Sequence, residues 1–265
     1  MLKAIVLLLF AVFIFILHET GEITRFINPN YLSFSQVASV LFLFLFFIQV
    51  PRIFTARHNE HDHSQCGPWG CSHENDEGRV TAKTIIAYGI IILPLLTGFL
   101  LPYKDFGAAE ALNRGVHYSS HDHSHIDGHG ELNNPHEKLV MEMLKESVLK
   151  VDNENFGSYL GAITSSPANF KGKPIEIEGF ILKDDLLANN LIVITRFLVT
   201  HCVADAHAVG LVIDKGATLG MEENTWICVR GELDVKESSD HLLIPVIRVN
   251  SWEEIQAPIE PYIYP

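Results

Sequence analysis

The sequence is poor in the residues that staple a small fold or catalyse common reactions. Four cysteines in 265 residues are too few for a disulfide framework, and they fall as two separated pairs, Cys66/Cys71 and Cys202/Cys228. Basic residues are also scarce: 19 Lys and Arg stand against 32 Asp and Glu, a net charge of −13. From Glu131 onward 11 basic residues face 21 acidic ones. Such a surface repels phosphate backbones, which argues against nucleic acid as a partner. There is no Gly-rich phosphate loop, no HExxH pair and no serine nucleophile elbow. The usual nucleotide-dependent, metalloprotease and hydrolase chemistries therefore have no basis in the sequence.

What the chain does have is apolar length near its start. "AIVLLLFAVFIFIL", "VASVLFLFLFFIQV" and "IIAYGIIILPLLTGFLLP" are three runs that, with flanking residues, approach the ~20-residue helix needed to cross a bilayer. The expectation is a membrane domain over 1–102 with spans near 2–18, 33–50 and 84–102. A cleaved signal peptide is the alternative for the first run, but "HETGE" follows where small residues should mark the cut. Pro94 is expected to kink the third helix. Arg52, Arg57, Arg79 and Lys83 cluster in the 53–82 loop and at the helix ends that flank it, whereas the other loop carries Arg25 and the stretch past Pro102 carries Lys104 and Arg114. The bias places the amino terminus and the 53–82 loop in the cytoplasm and the C-terminal domain outside the cell. The setting is a multi-pass protein of a bacterial cell membrane, with the lipid bilayer as its first partner.

Two loops are rich in histidine. "HNEHDHSQCGPWGCSHE" offers His61, His63, Cys66, Cys71 and His73, the soft and borderline donors that suit Zn²⁺, and "GPWG" turns the chain so that both thiols can meet. The second tract, "HYSSHDHSHIDGHG", lies in a 103–133 linker and contributes His121, His123 and His125. It lacks thiols and reads as a weaker collector of transition metals. A solvated polar loop that binds metal adventitiously is the plainer account of either tract.

Beyond the linker a soluble α+β domain is expected over 134–265. Asn134 and Pro135 suit a helix start, and two short helices are expected within 135–166. From Pro174 the pattern changes to period-two alternation. "PIEIEGFIL", "LIVITRFLV", "AVGLVI", "WICVRGELDV" and "LLIPVIRV" read as five strands, with Gly179 and Gly231 as bends or bulges. Five short strands with bending glycines suit a closed OB-like barrel over 170–256. Such barrels bind many ligands, so function does not follow from the fold. If the barrel face binds an extracellular ligand, Phe180, Phe197 and Trp226 are the aromatics that would line it.

These features together resemble the YcgQ-like family of bacterial membrane proteins. The likeness is carried by the three leading apolar runs, the His-rich loop with paired cysteines, "FKGKPIEIEGF", "ITRFLVTHCVADA", "WICVRGEL" and the tail "PVIRVNSWEEIQAPIEPYIY". Members are described as candidate permease subunits associated with a separate multi-spanning permease. The resemblance therefore implies a transport setting and a permease partner in the same membrane.

One stretch concentrates chemistry. "LVTHCVADAH" ends a strand on His201, Cys202, Asp205 and His207, where side chains from both faces can converge around a turn. The expectation is a metal site of Cys202 and Asp205 with His207 or His201, fed by the histidine tract. A buried Cys202 with Asp205 capping the turn is the bland alternative, and a Cys202–Cys228 disulfide is another. An enzyme with Cys202 as nucleophile, His201 or His207 as base and Asp205 as orienter is disfavoured, because adjacent residues on a strand point to opposite faces. The function expected is a non-enzymatic accessory protein that passes Zn²⁺ to a permease. Three helices alone make no pore, so homo-oligomerisation is the other association the sequence leaves open.

Overall fold

The computed structural model describes residues 2–55, 82–101, 103–117, 135–184, 191–214, 220–237 and 242–265. His61, His63, Cys66, Cys71 and His73 of the first expected metal loop lie outside these residues, as do Asn134 and His121, His123 and His125 of the second tract. The contacts divide the chain into two units: 1–24 with 30–104, and 25–29 with 105–265.

The first unit holds helices α1 (Leu2–Thr20), α2 (Leu32–Thr55) and α3 (Ala82–Leu100). Ser39 Oγ donates to the Ala11 carbonyl at 3.2 Å, and His18 and Ser35 share a 2.8 Å hydrogen bond, so the start of α2 is pinned to the second half of α1. Phe10 stacks on Phe42 at 5.5 Å and Phe13 meets Phe99 edge-on at 5.0 Å. Gly98 makes room for the latter pair, since an added Cβ would sit 2.6 Å from the Phe13 ring. Large apolar side chains such as Phe34, Val40, Phe44 and Ile90 face outward, as lipid-facing side chains do. Among the described residues two helices, not three, have the length and hydropathy of a span: Leu2–Thr20 and Pro29–Arg52. The third expected span is a shorter apolar helix, Ile85–Leu100. Lys83 and Thr84 occupy its first turn, leaving an apolar length of ~24 Å at 1.5 Å per residue, against a hydrocarbon core of ~30 Å.

The second unit is built round a closed barrel of five strands: β3 (Pro174–Asp184), β4 (Leu191–Leu198), β5 (His207–Ile213), β6 (Trp226–Glu237) and β7 (Leu243–Glu254). They pair in the order β3, β4, β5, β7, β6 and back to β3; every pair is antiparallel except β5 with β7. Closure leaves no long open edge. The glycines expected to bend strands do so for a visible reason. Gly179 lies where β3 leaves β6 for β4, and an added Cβ there would meet the Thr195 carbonyl oxygen at 2.8 Å. Gly231 follows a register shift between Arg230 and Gly231 and lies against the Arg248 carbonyl. Alternate residues of β3, Ile175, Ile177 and Ile181, enter the core with Ile194, Leu211, Val229 and Ile247. Each such side chain contributes about 1.5–3 kcal/mol of burial.

Shorter elements wrap the barrel: α4 (Ala108–Arg114), β1 (Val116–His117), α5 (Pro135–Lys145), β2 (Leu149–Val151), α6 (Phe156–Ser165) and β8 (Tyr262–Ile263). Residues 105–117, read from sequence as linker, are thus part of the folded unit. Gly107 N–H donates to Glu110 and Ala108 N–H to Asn224, which starts α4. Within 135–166, where two short helices are expected, α5 and α6 are separated by a strand. The apolar stripe of α5 buries Val140 and Met143, then Leu149 and Val151 continue as β2, parallel to the start of β3. Hydrogen bonds to Ile175–Ile177 give those residues more than another helical turn would, because the edge of β3 is open there.

Candidate functional site

The strand end "LVTHCVADAH" is a turn that gathers four parts of the chain. After β4, residues Val203–Asp205 form one 3-10 turn. The Asp205 carboxylate accepts the backbone N–H groups of Thr200 (3.1 Å), His201 (2.9 Å) and Cys202 (3.4 Å), and its Oδ2 lies 3.0 Å from His201 Nδ1. Partial burial works against the charged form, but the His201 N–H and imidazole with the Cys202 and Thr200 N–H groups outweigh it. The Asp205 carboxyl is held below its ordinary range. Arg114 of α4 covers the far side, donating from Nη1 to the carbonyls of Val203 (3.1 Å), Ala204 (3.3 Å) and Ala206 (2.9 Å). The Val199 N–H is taken by the Ile263 carbonyl of the C-terminal tail.

The remaining edge of the turn receives the segment that joins α1 to α2. Ile27 bridges Cys202 in antiparallel fashion, with Asn28 N–H donating to His201 O (3.0 Å) and Val203 N–H to Phe26 O (2.8 Å). The Asn28 side chain is 1% exposed. Its Nδ2 donates to the carbonyls of Thr200 at 2.8 Å and Val199 at 3.3 Å. Arg25 adds an ion pair to Asp105 at 3.6 Å. Sequence reasoning missed Asn28 and Arg114. Each lies far along the chain from its partners, and neither stands in a motif.

Beside this turn a groove of about 760 Å³ runs between α5, α6 and the β4–β5 end of the barrel. Leu139, Leu160, Leu198 and Val209 give it an apolar floor, with Thr200, Ser158 and Ser165 also lining it; the two serine hydroxyls donate to the Asn155 and Gly161 carbonyls. His117, His136 and His207 also line it, and all three are half-buried. Parallel pairing of β1 with β5 sets His117 opposite Val209, and its ring meets His207 edge-on at 5.4 Å between centroids. Among the described lining residues none carries a carboxylate, ammonium or guanidinium group.

The residues expected to form a metal site, Cys202 and Asp205 with His207 or His201, therefore have separate tasks. Asp205 and His201 tie the turn, Cys202 meets Ile27, and His207 turns to the groove and His117. Among the described residues no group of three or more His, Cys, Asp or Glu side chains is arranged to hold a metal ion. Cys202 and Cys228 are both free thiols. Cys228 is buried in β6 opposite Glu178, while Cys202 sits at the turn, so the disulfide alternative does not hold. Burial raises the Cys228 thiol above its usual pKa. Of the aromatics considered for a ligand face, Phe180 and Phe197 are buried and Trp226 is half-buried against Arg196. Phe180 and Phe197 are 2% and 1% exposed and stack at 5.9 Å. Trp226 lies 5.4 Å from the guanidinium carbon of buried Arg196, which Phe156 approaches at 5.5 Å. Arg196 bonds to Asn153 Oδ1 (2.6 Å) and the carbonyls of Glu260 and Pro261, and burial lowers its pKa to about 10.

Comparisons with known proteins agree along the whole chain. Residues 2–117 match the DUF1980 N-terminal domain and residues 128–265 the DUF1980 C-terminal domain. UPF0703 protein YcgQ of Bacillus subtilis is 25% identical, with 100% of this chain and 99% of that one covered. A protein of Streptococcus mutans serotype c, named as a candidate two-component membrane permease complex subunit, is 23% identical over 94% of this chain and 93% of its own. No solved structure matches the chain.

Proposed function

The chain belongs to the DUF1980 family, and we propose that it is a non-enzymatic accessory subunit of a two-component permease. In this role it presents a folded outer domain, with the His-lined groove as solute site, to a multi-spanning partner in the same membrane. The observation that carries the proposal is the likeness over nearly the full length to a relative named for such a complex. The apolar first unit supports a membrane setting.

We keep three spans with the C-terminal domain outside the cell, the shorter α3 crossing where the bilayer thins locally to match it. Residues 25–29 and 105–265 form one folded unit, which supports α2 and α3 leaving and returning to the same side. The Arg and Lys cluster at 52–83 supports a cytoplasmic intervening loop. The OB-like reading of the barrel is supported by its strand order, first-second-third-fifth-fourth, with the third and fifth strands parallel.

Zinc is the cargo this proposal assigns, from the donor chemistry of Cys66, Cys71 and the histidines of both tracts. His117, the first residue of the second tract, and His136, which follows it, both line the groove, which supports delivery of an ion toward His207. Affinity purification of the full chain in mild detergent tests the assignment. We expect one multi-spanning protein to co-purify, and Zn²⁺ content to fall in Cys66→Ser/Cys71→Ser. Recovery of the chain alone across detergents would remove the permease role; unchanged metal content would remove zinc.

A further inference from the structure

We infer that the Val199–Asp205 turn couples the groove to the segment Arg25–Pro29, so that filling the groove weakens the hold on that segment. The inference rests on the groove as the solute site.

Thr200 serves both partners at once. The residue lines the groove, and its carbonyl accepts the Asn28 side chain at 2.8 Å. His207, just past the turn, also lines the groove, while the His201 carbonyl between them accepts Asn28 N–H at 3.0 Å. Little in the turn can absorb a displacement. Asp205 ties three of its N–H groups, Arg114 ties the Val203, Ala204 and Ala206 carbonyls, and Ile263 holds Val199. A turn bonded on so many sides shifts as a unit, because packed, bonded elements have discrete arrangements rather than continuous ones. The seated segment is also of the all-or-none kind, since a buried amide such as Asn28 cannot lose its acceptors gradually without a large penalty. Its two ends run within a few residues into α1, which ends at Thr20, and α2, which begins at Leu32. Release of Arg25–Pro29 therefore lengthens the tether between those helices. An occupant that prefers the displaced turn shifts this equilibrium, and by linkage release of the segment changes the groove.

The test uses the full chain in lipid nanodiscs, with Cys66→Ser, Cys71→Ser and Cys228→Ala leaving Cys202 as the single native thiol. Ile27→Cys then places a second thiol opposite it. The bridge is of the non-hydrogen-bonded kind, flanked by the Asn28–His201 and Val203–Phe26 bonds. Cα atoms in such a pair lie about 4.5 Å apart, within the range a disulfide spans. Diamide should close this bond quickly, and Asn30→Cys in place of Ile27→Cys should not close it. The groove is then filled without any ligand by Gly161→Phe, at a lining position where an added Cβ meets nothing within 4 Å. Gly161→Leu serves as the second filling should the larger side chain prevent folding. We expect cross-linking to slow by about tenfold in a folded filled variant, a typical size for coupled sites. An unchanged rate in a filled variant of unaltered circular dichroism would overturn the coupling. Absence of cross-linking in the unfilled parent would overturn the seating of the segment itself. Neither result bears on co-purification with a permease, which tests the subunit assignment separately.

Discussion

Asn28 Nδ2 lies 2.8 Å from the carbonyl oxygen of Thr200, a residue 172 positions later in the chain. The bond closes the segment between the first two apolar helices onto the turn that ends β4. With the second bond to Val199 it satisfies a side chain that is almost wholly removed from water. Asn28→Ala leaves two carbonyls short of donors. The expected loss is about 2 kcal/mol, the cost of stranding buried acceptors. Thermal unfolding of the detergent-solubilised chain measures it, and limited proteolysis should find a new cut near residue 28. A variant as stable and as resistant as the parent would show that the seat contributes nothing.

Asp205 predicts an acid limb. Its folded pKa is held below the unfolded value, so the unfolded state binds the proton more readily. The stabilisation is complete above the ordinary aspartate pKa of about 3.9 and is lost as pH falls through the lower folded value. Asp205→Asn should flatten the change of melting temperature with pH below ~4 while keeping one acceptor for the turn. Identical acid limbs in the two proteins would show that the carboxylate bonds are not energetically significant.

Arg196 and the tail form a coupled pair. The guanidinium is 1% exposed and takes its acceptors from Asn153 and the Glu260 and Pro261 carbonyls. Removing residues 256–265 would leave a buried cation short of partners, so the truncation should cost more in the parent than in Arg196→Met. A double-mutant cycle by chemical denaturation should give an interaction of at least ~1 kcal/mol. Additive losses would mean that the tail stabilises through Tyr262 and Ile263 packing alone.

The topology has its own experiment. In a cysteine-free background, a thiol at exposed Lys236 should react with an impermeant maleimide on intact cells. One at Asn75 should react after lysis alone. The reverse pattern would invert the chain and move both histidine tracts to the other compartment.

The chain's local chemistry specified much of this architecture by itself. Apolar runs without charges mark α1 and α2, and the alternation of Ile175, Ile177 and Ile181 marks a half-buried strand whichever fold contains it. Gly179 and Gly231 stand out because a bend in a strand needs a residue without a side chain. These are properties of short windows, in which period and residue type act within a few positions. The site was less legible. Cys202, Asp205 and His207 are close in sequence and suggest one cluster, yet tertiary structure gives their side chains different partners. Asp205 folds back on its own turn, Cys202 meets a segment from the start of the chain, and His207 faces His117 of β1. Likewise Val148–Val151 continues a helical stripe, but the open edge of β3 draws Leu149–Val151 into a strand. Backbone donors and acceptors must be paired wherever the chain is buried, and partners far along the chain decide how. No local pattern encodes that choice, so Asn28 and Arg114 acquire their roles only when the barrel closes.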